Sequence, residues 1–147
     1  MIDFNALKTT IHDGVLDALQ KHSSHVTAIP RTAQGDIPIN GLPLELYPWH
    51  RYLAMSLRGN LEIANRYSQA DWEHFEFASS NRSESSRFRA AAALVTQVYD
   101  AAKDDPNGRQ EAAHLIFLAA AEALLGTGLR RFPPSHGTKS AGHYRQI

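Results

Sequence analysis

The sequence contains no cysteine, which excludes disulfide bonds, thiolate-bound metals and a cysteine nucleophile. It also has no excess of charge of either sign, because 15 Lys and Arg residues balance 15 Asp and Glu residues. Without a net positive charge, the simplest argument for a protein that binds DNA or a membrane surface is lost. The longest apolar run, Leu115–Ala121, is far shorter than the roughly 20 residues that cross a bilayer.

Several enzyme motifs are missing as well. The sequence has no Gly-x-Ser-x-Gly, Walker A, Gly-x-Gly-x-x-Gly or His-Glu-x-x-His pattern. Acidic residues interrupt the apolar positions of residues 2–20, which is not the pattern of a targeting signal. We therefore expect a protein of bacterial or phage type without a cofactor. We expect it in the cytoplasm, or in the virion if a phage encodes it.

The sequence has the length of one domain, 147 residues, and enough apolar residues, 43%, to form a core. Apolar residues at steps of three and four predict amphipathic helices over 3–20, 49–67 and 86–103, and a further helix is predicted over 109–125. A shorter helix is predicted around Trp72, Phe75 and Phe77. The helix over 109–125 is apolar on most sides, which predicts a central, buried position. We expect an all-α bundle of about five helices.

Two segments do not fit a helix. Residues 23–48 contain four prolines and two glycines, which predicts an irregular insertion after the first helix, with room for a short β-hairpin. The chain beyond residue 129 is rich in Arg, Lys, Pro and Gly and contains no acidic residue. We therefore predict a single helical domain over 1–131 and an irregular basic tail over 132–147.

One short motif has an enzymatic interpretation. Arg109 is followed, after four residues, by His114 near the start of a late helix. This spacing resembles the motif of the HEPN ribonucleases, which are small all-α domains. The resemblance implies metal-independent RNA cleavage by a dimer, with Arg109 holding the scissile phosphate and His114 acting as general acid or base. The alternative is that Arg109 is an exposed residue of the first helical turn and His114 a polar residue at the rim of the core.

A weaker alternative is a metal site. Asp71 and His74, and likewise Glu111 and His114, have the carboxylate–His spacing of three that occurs in di-iron helix bundles. Such bundles need carboxylates from four helices, and the sequence does not supply them. Our main prediction is therefore that the protein holds no metal.

Two further sets of residues are candidates for binding a partner. Basic residues concentrate in the second half of the chain, and aromatic residues among them could stack on unpaired bases of RNA. The basic candidates are Arg82, Arg87, Arg89, Arg130, Arg131, Lys139 and Arg145. Tyr47, Trp49 and Tyr52 would be anchors for a protein partner if they are exposed. The alternative for Trp49 is a core position, because it begins an apolar stripe.

The two halves of the chain carry opposite charge, with nine acidic and six basic residues in 1–76 and the reverse in 77–147. This polarity, the insertion and the tail are typical of proteins that associate with themselves or with others. We predict a non-enzymatic interaction or assembly protein, that is, an adaptor, an inhibitor or a complex subunit. We expect a protein partner, and a homo-oligomer or a larger assembly. The alternatives are the HEPN-like ribonuclease and an RNA-contacting subunit of a larger complex.

Overall fold

The computed structural model describes residues 2–29, 33–35, 39–59, 72, 74–102 and 104–127. These residues form four α-helices, α1 (Phe4–Lys21), α2 (Ser23–Thr27), α3 (Ser86–Asp100) and α4 (Pro106–Gly126). They also form four strand segments, β1 (Ile39–Gly41), β2 (Leu44–Tyr47), β3 (Tyr52–Gly59) and β4 (His74–Ser79). The protein has an α+β fold, and the prediction of an all-α helical bundle is wrong.

The strand segments form an antiparallel sheet of three strands centred on β3. β4 pairs with one edge of β3, while β1 and β2 share the other edge. Gly41 pairs with Arg58, and Leu44 pairs with Met55. Between these two pairs the β1–β2 side and the β3 side each advance by three residues, so the register is continuous. β1 and β2 are therefore one strand that is interrupted at Pro43. A proline suits this break, because it has no N–H to donate to a neighbouring strand.

The prediction of a helix over 49–67 is wrong for the described residues of this segment. They form a 3₁₀ turn at Pro48–His50 followed by β3. The reason is that residues four apart, such as Leu53 and Leu57, share a face in a strand as well as in a helix. All residues from Leu53 to Arg58 are buried, so β3 lacks the alternation of apolar and polar residues that marks a half-exposed strand. The predicted short helix is also wrong, because Phe75 and Phe77 lie on β4.

The predicted insertion over 23–48 contains α2, β1 and β2. The described residues of the insertion form no hairpin with one another, since β1 and β2 both pair with β3. β2 instead pairs with β3 across the 3₁₀ turn, with Tyr47 opposite Tyr52. The end of the predicted domain at residue 131 and the predicted tail over 132–147 lie outside the described residues.

Three of the predicted helices, α1, α3 and α4, are confirmed near their predicted positions. Their first turns are capped by Asp3, Ser85 and Asp105, whose side-chain oxygens accept hydrogen bonds from backbone N–H groups two or three residues later. α1 and α3 pack closely, and both join one apolar core with β3 through residues such as Ile11, Phe88, Leu53, Met55 and Leu57.

α4 packs mainly on α1, and it does so with small side chains. Its buried residues are Ala112, Ile116, Ala119, Ala120 and Ala123. Its larger apolar residues Phe117, Leu118 and Leu125 are exposed. The prediction of a central, buried helix is therefore wrong, since the described residues cover only one side of α4.

Candidate functional site

Four aromatic rings meet where β2 passes into β3. The ring centroids lie 6.0 Å apart for Tyr47 and Trp49, 6.3 Å for Tyr47 and Tyr52, and 6.5 Å for Trp49 and Tyr99. Trp49 is 49% exposed and Tyr47 is 40% exposed, so the rings line the surface of the protein. We call Tyr47, Trp49, Tyr52 and Tyr99 the aromatic surface. A core position for Trp49 is wrong. Tyr47 and Trp49 meet the condition of exposure for an anchor, whereas Tyr52 is half-buried.

Local structure holds these rings in place. Pro48 is buried and begins the 3₁₀ turn, where its fixed φ suits the first position. Arg51 ends the turn in the left-handed region, at φ 56°. Its Nη2 lies 3.0 Å from Oδ2 of Asp100 at the end of α3. This exposed ion pair adds little stability, but it connects the turn to the helix that carries Tyr99.

Tyr52 is tied to the neighbouring strand by Glu76. Burial and a hydrogen bond with the Glu76 carboxylate raise the pKa of Tyr52 from 10.0 to about 12. Glu76 lies in an irregularity of the β3–β4 pairing at φ 47°, and its N–H donates to Oγ of Ser56 at 2.8 Å. The irregularity of β4 thus directs the Glu76 carboxylate towards Tyr52. Arg82 Nη2 lies 3.9 Å from the same carboxylate.

A second cluster consists of histidines. Nδ1 of His25 on α2 lies 2.9 Å from Nδ1 of His74 on β4, and the rings meet edge to face. His74 is only 6% exposed. Burial lowers the pKa of His25 below its ordinary value of 6.5, and the nearby His74 and His22 lower it further. One imidazole must donate and the other accept, so the pair is incompatible with two imidazolium ions.

The histidine cluster continues into a hydrogen-bond network between α1 and α3. His22 Nε2 lies 2.9 Å from Oγ of Ser83. Ser83 Oγ accepts from the N–H of Ser85, and the Ser85 hydroxyl donates to the Asp17 carboxylate at 2.5 Å. Because Ser85 caps α3, this network fixes the start of α3 against the end of α1.

The residues of the weak metal alternative are not gathered into one cluster. His74 pairs with His25, whereas Glu111 and His114 are exposed on α4, and Asp71 lies outside the described residues. Within the described ranges, no group of three or more His, Cys, Asp or Glu side chains could hold a metal ion.

The two residues of the HEPN-like motif both lie on α4, Arg109 in its first turn and His114 further along. His114 is exposed and Arg109 is half-buried. Five residues along an α-helix correspond to about 140° around its axis, so the two side chains leave one helix in different directions. A catalytic role for these residues stays a prediction.

The basic candidates divide into two groups. Arg82, Arg87 and Arg89 lie at or just before the start of α3, and all three are exposed. Arg89 donates a hydrogen bond to the Ser83 carbonyl, so it helps to hold the turn before α3. The remaining four, Arg130, Arg131, Lys139 and Arg145, lie outside the described residues. Partner or RNA binding by these residues stays a prediction.

Two contacts could not have been found from the sequence. His25 and His74 are 49 residues apart, and the predicted short helix placed His74 in the wrong type of element. The predicted short helix also includes Glu76, so the sequence does not predict the contact between Glu76 and Tyr52. The one available signal was the alternation of Phe75 and Phe77, which is typical of a strand.

The fold and these clusters define a small α+β protein in which three helices pack with one antiparallel sheet. The chain matches no known protein family, no curated protein and no solved structure. No helix in the described part of the chain is long and apolar enough to cross a membrane.

Proposed function

We propose that this protein is a non-enzymatic interaction protein, a subunit of an assembly or an adaptor, that binds a protein partner through the aromatic surface. The observation that supports this proposal is the exposure of Trp49 and Tyr47 within a set of rings in mutual contact. Trp and Tyr are the side chains that most often dominate the energy of protein interfaces. Soluble proteins seldom leave such rings together in water unless the surface has a use.

The aromatic surface is also ordered before any partner arrives. The 3₁₀ turn begins at the buried Pro48, whose φ is fixed by its ring, and the Glu76 carboxylate forms a hydrogen bond with the hydroxyl of Tyr52. Ordered rings lose little conformational entropy on binding, which leaves more of the interaction energy as affinity. Charge near the surface is mixed, since Arg51 offsets Asp100. This favours an apolar protein surface as the ligand over a phosphate backbone.

The test compares the wild-type protein with Trp49→Ala, expressed with an affinity tag in the cells from which the sequence derives. We expect a protein that copurifies in a fixed ratio with the wild type and is lost, by about tenfold or more, with Trp49→Ala. Leu16→Ala is the matched control. Leu16 is a similarly exposed apolar residue, 39% accessible, but it lies on α1 outside the aromatic surface.

Leu16→Ala should retain the partner at the wild-type ratio. Equal recovery of the partner with Trp49→Ala and the wild type would contradict the proposal. Recovery of no protein in a fixed ratio with the wild type would contradict it as well. Circular dichroism of both variants checks that the exposed substitutions leave the fold intact.

A further inference from the structure

The exposed side of α4 combines large apolar side chains with acidic ones. Phe117 and Leu118 are each 43% exposed, and Leu125 is 60% exposed. Glu111 and Glu122 are exposed as well, and no exposed residue of α4 is a Lys or Arg. We call this side of the helix the α4 outer face. A surface that is both apolar and acidic fits an occupant that is apolar and basic.

The sequence contains a segment of this kind directly after α4. Residues 128–147 include four Lys and Arg residues and no acidic residue. The segment begins with two arginines, Arg130 and Arg131, that stand between the apolar residues Leu129 and Phe132. This order of apolar, basic and apolar side chains complements the α4 outer face, where Glu122 stands between two leucines.

We infer that residues 129–132 of the same chain bind back along the α4 outer face, in the direction opposite to α4. Leu129 then contacts Leu125. Phe132 contacts Leu118, one helical turn or more nearer the start of α4. The contact uses no residue of the aromatic surface, so it goes beyond the proposed partner binding.

The spacing of the apolar side chains supports this register. Leu118 and Leu125 are seven residues apart on α4, which corresponds to about 10.5 Å along the helix axis. Phe132 precedes a proline, and a residue in that position favours an extended or polyproline II backbone. In polyproline II, residues three apart lie on one side at a separation of about 9.3 Å. Leu129 and Phe132 therefore match the two leucines of α4.

The end of α4 allows the chain to turn back. Thr127 caps the helix, and its hydroxyl donates to the carbonyl of Leu124 at 2.6 Å. Gly128 follows at the position where helices most often end on a glycine in the left-handed conformation. A segment attached this closely has an effective concentration of about millimolar at the α4 outer face, which favours it over a second copy of the chain.

Charge supports the same placement. Glu122 shares the helix face of Leu118 and Leu125, being four and three residues from them. Its carboxylate lies 3.5 Å from Lys8, but both side chains are exposed, and a carboxylate accepts several hydrogen bonds. An arginine between Leu129 and Phe132 therefore adds to this ion pair without replacing it.

The first test is NMR spectroscopy of the full-length protein. We expect nuclear Overhauser effects between the ring of Phe132 and the methyl groups of Leu118. The backbone amide of Phe132 should have an order parameter of about 0.85, as in a rigid segment, and not below about 0.6, as in a flexible one. In a mixture of isotope-labelled and unlabelled protein, the contact should appear only within each chain.

The second test removes the apolar contact. Leu118→Ser should lower the order parameter of Phe132 to below about 0.6. Leu16→Ser is the matched control, because Leu16 is an exposed leucine, 39% accessible, that lies on α1. It should leave the order parameter of Phe132 at its wild-type value. Unchanged circular dichroism of both variants excludes unfolding as the cause of a difference.

The third test reverses the charges. Arg130→Glu combined with Arg131→Glu should lower the order parameter of Phe132, since both new carboxylates approach Glu122. Lys139→Glu combined with Arg145→Glu reverses as many charges outside the proposed contact and should leave that order parameter unchanged.

Four results would overturn the inference. They are an order parameter of Phe132 below about 0.6 in the wild type, no Overhauser effect between Phe132 and Leu118, a Leu118→Ser variant that behaves like the wild type, and Overhauser effects between labelled and unlabelled chains. The last result would place the segment on a second copy.

Discussion

His25 and His74 face each other through their Nδ1 atoms at 2.9 Å, which joins the short helix α2 to the edge strand β4. The contact needs at least one neutral imidazole, because an acceptor nitrogen must carry no proton. Phe77 packs against His25, with ring centroids 5.4 Å apart. A partly buried contact of this kind depends on pH, since His changes its charge near neutrality.

The first prediction is therefore a loss of stability on mild acidification. The pKa of His25 is lowered in the folded protein, so the unfolded chain binds a proton more readily below the ordinary value of 6.5. The free energy of unfolding should then fall as the pH drops from 6.5 to the lowered pKa of His25. His25→Gln should flatten this dependence in urea titrations. His50→Gln, on the exposed 3₁₀ turn, should keep the wild-type slope, and an unchanged slope in His25→Gln would refute the prediction.

The second prediction concerns the close approach of α1 and α3 at Gly14. A Cβ atom at this position would lie 2.9 Å from the carbonyl oxygen of Arg87 and 3.1 Å from Cβ of Ala91. Gly14→Ala gains about 1 kcal/mol in helix propensity, but a backbone carbonyl cannot turn away from the new methyl group, and overpacking costs about 1–3 kcal/mol. We expect net destabilisation in urea unfolding.

Gly126→Ala serves as the control for this substitution. The nearest atom to a Cβ at Gly126 is Cδ2 of His12 at 3.9 Å, which is an ordinary contact. The variant should be as stable as the wild type or slightly more stable. If Gly14→Ala were also as stable as the wild type, the helices would be able to separate at little cost.

The third prediction concerns the ionisation of Tyr52. Burial and the Glu76 carboxylate raise its pKa to about 12, so Tyr52 should contribute the last step in an absorbance titration at about 295 nm. Because the folded state holds this proton more tightly than the unfolded chain, stability should fall as the pH rises from 10.0 towards about 12. Tyr52→Phe should remove the last step, and Glu76→Gln should move it to lower pH. Persistence of that step in Tyr52→Phe would assign it to another tyrosine.

The fourth prediction concerns the HEPN-like motif. The proposed function is non-enzymatic, and Arg109 and His114 leave one helix in different directions, so cleavage by this motif would need two copies of the chain. We expect the purified protein not to cleave RNA, and His114→Ala to behave like the wild type. Cleavage by the wild type that is abolished in His114→Ala would establish the ribonuclease instead. His114 is exposed, so the substitution should change the free energy of unfolding by no more than about 0.5 kcal/mol.

The helical half of the fold could be predicted from the sequence. The apolar residues of α1 recur at helical spacing, as at Leu7, Ile11 and Val15, and those residues are buried. Residues such as Asp3 and Ser85 cap helices through contacts within one turn. These features are local, and local contacts leave a pattern in the sequence.

The sheet could not be predicted in the same way. β3 contains Leu, Ala and Met, which favour a helix when nothing else decides, yet it lies between two other strands. Its buried positions on both faces remove the alternation that would have indicated a strand. Pairing with residues that are distant in the chain overrides the local preference.

By itself the sequence determined the helices α1, α3 and α4 and the types of side chain available for binding. The tertiary structure decided which of these side chains face water. It exposed Trp49 and Phe117, although both lie in apolar patterns, and it brought His25 to His74. The physical reason is that periodicity shows which residues share a face of an element. Whether that face is covered depends on packing against elements far away in the chain.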